Sequence, residues 1–116
     1  MTPVYFAYTV ACAFADVETR DAFVAWLVAE HMEDVCGAGA ISADVVVLDG
    51  DAPRCEVLYR FSSREAFLRY EREGAPRLRA ASVAEIARLK AGARVVFTRS
   101  TGECVHVVVA TRPGSG

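Results

Sequence analysis

Residues 4–14, VYFAYTVACAF, are β-branched, aromatic or small and carry no charge. That composition suits a central strand, whose side chains alternate between two faces. The even positions (Val4, Phe6, Tyr8, Val10, Cys12, Phe14) are larger than the odd ones (Tyr5, Ala7, Thr9, Ala11, Ala13). The bulky face suits overlying helices. The face of small residues suits a close partner or a cavity.

The pattern then changes period. Asp16 or Thr19 can cap a helix that runs to about residue 36, where Gly37 and Gly39 stop it. Residues 41–48 (ISADVVVL) predict a second strand, 49–53 (DGDAP) a turn, and 54–61 (RCEVLYRF) a third strand that closes a hairpin. Ser62 with Glu65 fits a capping box at the start of the next helix. That helix breaks at Gly74-Ala75-Pro76, and Pro76 suits the first turn of a further helix over 76–90. Residues 93–99 predict a fourth strand, 100–103 a turn, and 104–111 (CVHVVVAT) a fifth, apolar strand.

Strand, helix, strand, strand, helix, strand is the order of an α+β, ferredoxin-like βαββαβ fold, here with an extra helix and an extra C-terminal strand. The expected unit is a single domain over 1–111 with a flexible tail at 112–116. Helices cover one face of such a sheet. The other would carry Ala7, Ala11, Val46, Leu48 and Leu58 beside Glu56 and Arg60, too apolar for water, so a homodimer through the sheet faces is expected.

With 116 residues, 53% hydrophobic and 24% charged, the chain is sized for one core. Its net charge of −2 offers no basic field for nucleic acid. No apolar run approaches the ~20 residues that span a bilayer, and no basic region followed by an apolar stretch marks a signal peptide. Cys12, Cys36, Cys55 and Cys104 form no close pair, which disfavours zinc and redox motifs. A cytoplasmic protein with free thiols, no membrane partner and no cofactor is the expectation.

The first helix carries the informative constellation. With Phe23 at zero and about 100° per residue, Leu27, Val24, Val35 and Val28 fall at about 40°, 100°, 120° and 140° as an apolar stripe. His31 falls at about 80°, inside that stripe, and Asp34 at about 20°, within reach. Trp26 and Glu30 lie together on the flank. A buried histidine needs a hydrogen bond. Asp34 would hold one ring nitrogen while the other faces a pocket, the arrangement of a general base. The alternative is a helix-end staple with no chemistry. Metal ligation by His31, Asp34 and Glu30 is disfavoured by their angular spread.

Tyr5, Tyr8, Tyr59 and Tyr70 are candidate phenolic donors, with Trp26, Tyr59, Arg60 and Tyr70 the expected ligand contacts. Arg60 would bind a carboxylate if its strand face lines the dimer interior. Arg77 and Arg79 follow Pro76 at a helix start, where amides favour anions.

Trp26, His31, Asp34, Val35, Gly39 and Ser42-Ala43, followed by Tyr70, Ala75-Pro76, Leu78 and Arg79, resemble a small bacterial family of unknown function. That family is similar to the dimeric α/β-barrel superfamily, which includes cofactor-independent monooxygenases, cyclases and isomerases. The resemblance implies the fold and a dimer, not a reaction. Two main functions follow as expectations, with haem or metal binding through His31 a third, weaker reading. One is a dimer that binds a small apolar or aromatic molecule and moves a proton with His31. The other is a non-enzymatic binding or assembly module.

Overall fold

The computed structural model describes residues 3–111. Four strands, β1 (Tyr5–Phe14), β2 (Ser42–Val47), β3 (Arg54–Phe61) and β4 (Val95–Cys104), make one antiparallel sheet in the order β2-β3-β1-β4. Between β1 and β2 run α1 (Val17–Trp26), a π-helical turn (Leu27–His31) and α2 (Met32–Gly37). Between β3 and β4 run α3 (Arg64–Glu73) and α4 (Ala75–Leu89). This is the ferredoxin-like order that the patterning predicts, with the extra helix.

The helix ends follow from local chemistry. Asp16 accepts the Thr19 N–H at 2.7 Å and starts α1. Ser63, not Ser62, caps α3: its backbone is extended and its Oγ accepts the Ala66 N–H at 3.1 Å. Ser62 sits one residue too early to reach those amides. At Gly74, between α3 and α4, an added Cβ would lie 3.0 Å from the Ala38 Cβ, so a larger residue would push this junction and the end of α2 apart by a few tenths of an ångström.

The C-terminal part differs from the expectation. Residues 100–103 do not turn; β4 is continuous, with Ser100 opposite Thr9, Gly102 opposite Ala7 and Cys104 opposite Tyr5. The ten-residue β1 presents backbone groups along its whole edge, and a turn at Ser100 would leave half of them unpaired. The expected fifth strand does not form. Residues 105–111 carry no regular structure, and Val105, Val107, Val108 and Val109 are exposed. The expected tail at 112–116 lies outside the described residues.

The sheet separates two environments. Phe6, Tyr8 and Cys12 of β1 and Cys55, Val57, Tyr59 and Phe61 of β3 join Phe23, Leu27, Val35, Phe67, Tyr70 and Leu78 from the helices in one core. On the opposite face, Ala7, Thr9 and Ala11 lie between Arg60, Leu58 and Glu56 on β3 and Gly102, Ser100 and Thr98 on β4. No helix among the described residues covers this second face. Among the described residues, no helix is long and apolar enough to cross a membrane.

The buried positions of the first helical stretch are Thr19, Phe23, Leu27, His31 and Val35, spaced in strict fours. In an ideal α-helix each step of four drifts about 40°, so four steps would carry the row about 160° around the axis. The π-turn removes much of that drift. Its Met32 N–H donates to the Leu27 carbonyl five residues back, so one turn holds an extra residue and the rest rotates back by about 100°. The row therefore stays on the sheet. Val28, expected in the stripe, is 59% exposed for the same reason.

Candidate functional site

The core is interrupted where the π-turn, α4, β1 and β4 converge. A cavity of about 30 Å³ lies there, room for one or two waters. Val10, Cys12, Val57, Leu27 and Val35 form its apolar wall, and Tyr8, His31, Arg79, Ser82 and Arg99 its polar end. Tyr59 and Tyr70 also line it.

His31 reaches this cavity because the π-turn keeps the fours in phase. It is 7% exposed. Its ring stacks on the Trp26 indole, with centroids 4.6 Å apart and planes 23° from parallel. Its Nε2 lies 3.4 Å from the Ser82 hydroxyl of α4, which in turn lies 3.4 Å from the Leu78 carbonyl four residues earlier. A serine has one proton to give. With that proton on the Leu78 carbonyl, the Ser82 oxygen accepts from His31 Nε2–H. Nδ1 then keeps a bare lone pair, and it is buried without a hydrogen-bond partner. Burial pushes the His31 pKa below its ordinary value, and the more distant Asp34 charge only partly opposes this. The ring is thus held neutral.

Asp34 does not do what its spacing suggests. It is exposed and makes no side-chain hydrogen bond to His31 among the described residues. With Val35 taking the inward position after His31, Asp34 falls about 100° away toward solvent. The neighbour that positions the ring is Ser82, which the sequence did not single out because α4 reads as an ordinary amphipathic helix.

The opposite end of the polar group is built on Tyr8. Its hydroxyl accepts from Arg99 Nε at 3.1 Å and from Arg79 at 3.4 Å. Arg79 also grips both Glu71 carboxylate oxygens, at 2.7 and 2.9 Å. Its Nε is buried without a partner. Arg99 had a sequence signal: Val95, Phe97 and Arg99 alternate on β4, so an arginine occupies a position on the helix-covered face. Arg79 was singled out, but for a helix start rather than a cavity.

Of the expected ligand contacts, Tyr59 and Tyr70 line the cavity, Trp26 stacks on His31 without lining it, and Arg60 lies elsewhere. Arg60 lies on the uncovered sheet face, pairs with Asp44 at 2.7 Å and donates to Ser42 at 3.3 Å. Burial raises the Tyr59 phenol and pushes the Tyr70 phenol up to about 12, so both stay protonated near neutral pH. Cys12, opposite Cys55, is raised by its hydrogen bond to that thiol and by burial, which argues against a nucleophile. Among the described residues, no three His, Cys, Asp or Glu side chains converge to hold a metal ion.

No family model matches the chain, and no curated protein matches it. Solved structures do. A dimeric ferredoxin-like protein from an uncultured marine organism superposes with a TM-score of 0.70 at 16% identity, over 92% of this chain and 100% of its own. The ActVA-Orf6 monooxygenase of Streptomyces coelicolor, in complex with nanaomycin D, gives 0.63 at 16% identity, over 93% and 94%. SnoaB, a cofactor-independent oxygenase from Streptomyces nogalater, gives 0.54 at 8% identity, over 93% and 98%. At these identities the likeness is one of fold, and the chain shares the ferredoxin-like fold of these proteins.

Proposed function

We propose that the chain is a homodimeric small-molecule-binding protein whose cavity moves a proton on a small, largely apolar ligand without a cofactor. The carrying observation is His31: buried, with Nδ1 lacking a hydrogen-bond partner and Nε2 3.4 Å from the Ser82 hydroxyl. A neutral imidazole can take a proton from an acidic C–H or O–H group. Donors at the Tyr8 end can stabilise the oxygen on which charge develops. Isomerisation, cyclisation and cofactor-free oxygenation can all begin with that step. The oxygenases among the similar structures support the reading by fold analogy.

The dimer reading rests on the uncovered sheet face and on the marine relative, which is described as dimeric. Alanine, glycine, serine and threonine at its centre allow a second sheet to approach closely.

The test is His31→Gln in the intact protein. A retained fold with lost proton transfer on an active substrate supports the role, and unchanged turnover removes it. The second reading, a binding or assembly module in which His31 only packs, is favoured by the small cavity, which admits a ligand only if the surrounding seam opens. It predicts that His31→Gln alters stability and leaves ligand affinity unchanged.

A further inference from the structure

Phe97 lines two spaces, the cavity and a neighbouring apolar groove of about 320 Å³ between α4 and β4. Two rows of side chains frame the seam that joins them. On β4 the row is Val95, Phe97 and Arg99, alternate residues opposite Phe14, Cys12 and Val10 of β1. On α4 it is Arg79, Val83 and Ile86, spaced four and three apart as one helical face requires. The rows run in opposite directions and match end for end. Arg79 and Arg99 meet at the Tyr8 hydroxyl, while Ile86 and Val95 share the groove. Each row spans about 10–13 Å, from seven helical or four strand residues.

The cationic end carries a surplus. Glu71 balances Arg79. Arg99 has no ion pair among the described residues. Buried Arg79 Nε has a donor with nothing to receive it. At the other end Val83 is 64% exposed, although it borders an apolar groove. Arg99, without an ion pair among the described residues, thus stands at one end of a seam whose other end is an apolar groove.

We propose that this seam binds a monoanionic amphiphile: a carboxylate held between Arg99 and Arg79 beside the Tyr8 hydroxyl, with an apolar body about 10 Å long lying past Phe97 toward Ile86. The proposal rests on reading the cavity as a ligand site and adds the charge and length of its occupant. Turning the Phe97 ring would join the two spaces and relieve the tightness of the cavity.

Isothermal titration of the full-length protein with sodium octanoate, 1-octanol and octylammonium chloride tests it. Octanoate should bind about tenfold more tightly than octanol and weaken as salt is added, with octylammonium weakest. Arg99→Gln, at an exposed position that should not disturb folding, should weaken octanoate about tenfold and leave octanol within about twofold. Val83→Glu should also weaken octanoate, by placing a carboxylate beside the channel. Equal binding of octanoate and octanol, or octanoate affinity insensitive to Arg99→Gln, overturns the anionic assignment but leaves the cavity reading in place. Absence of binding by all three probes overturns both.

Discussion

The His31 imidazole lies against the Trp26 indole at 4.6 Å, although five residues of α-helix would set the two side chains about 140° apart. The π-turn makes the stack possible: a hydrogen bond spanning five residues brings positions five apart onto one side. The same turn carries His31 into the cavity and leaves Asp34 in solvent. A single extra residue in one turn thus decides which side chain accompanies the histidine.

Trp26 reports on this arrangement, and pH tests it. The native His31 pKa lies below the unfolded value of about 6.5. The unfolded chain therefore takes up the proton first as pH falls. This residue's contribution is intact above about pH 6.5 and is lost as pH falls from there through the native value, by at most about 1.4 kcal/mol per pH unit. Urea unfolding followed by Trp26 fluorescence from pH 8 to pH 5 should show that loss in the wild type. His31→Phe, which keeps a stacking ring and removes the titration, should flatten the profile. Parallel profiles would contradict the buried, neutral assignment.

Ser82→Ala tests the source of the tautomer. Removing the hydroxyl leaves buried His31 Nε2 without its partner, at a cost of about 1–3 kcal/mol. It also frees the proton to move between ring nitrogens. Nitrogen-15 spectra of labelled histidine should show one dominant Nε2–H form in the wild type and a mixture in Ser82→Ala, with Ser82→Thr restoring the first pattern. At pH 8 Asp34→Asn should leave the tautomer pattern unchanged, because its side chain makes no hydrogen bond to the ring among the described residues.

The strict row of fours yields a paired prediction. Phe23 is 1% exposed among Phe14, Trp26 and Phe97, so Phe23→Ala should cost about 3–5 kcal/mol in chemical denaturation. Val28 falls within the apolar stripe of an ideal helical wheel but is exposed, so Val28→Ala should change stability by less than about 0.5 kcal/mol. A large loss at Val28 would mean that the helix keeps regular α phase.

These residues also show what patterning can reveal. The alternation in β1 and β3 identifies Tyr8 and Tyr59 as inward-facing, because strand period is rigid and one face is apolar throughout. His31 stands out because a titratable group in an apolar stripe is chemically conspicuous. Its partner does not. A wheel at constant pitch selects Asp34, whereas Ser82 comes from an element 51 residues away and only tertiary packing brings it near. The continuous β4 is hidden for a similar reason. Ser100, Thr101 and Gly102 have turn propensity, and the unpaired edge of β1 overrides it.

The uncovered sheet face yields the last prediction. If two copies pack through it, light scattering should give twice the 12.5 kDa chain mass at micromolar concentration. Ala11 lies at the centre of that face, between Glu56 on one neighbouring strand and Thr98 on the other. In an isolated chain, Ala11→Arg places a guanidinium directly across from the Glu56 carboxylate, which is mildly favourable. Between two sheets about 10 Å apart, the same side chain meets its symmetry mate or buries its charge. The substitution should therefore separate assembly from folding: the circular dichroism spectrum and thermal transition survive, while the mass falls to that of one chain. A wild-type monomer, or an Ala11→Arg protein that keeps twice the chain mass, would place the partner surface elsewhere.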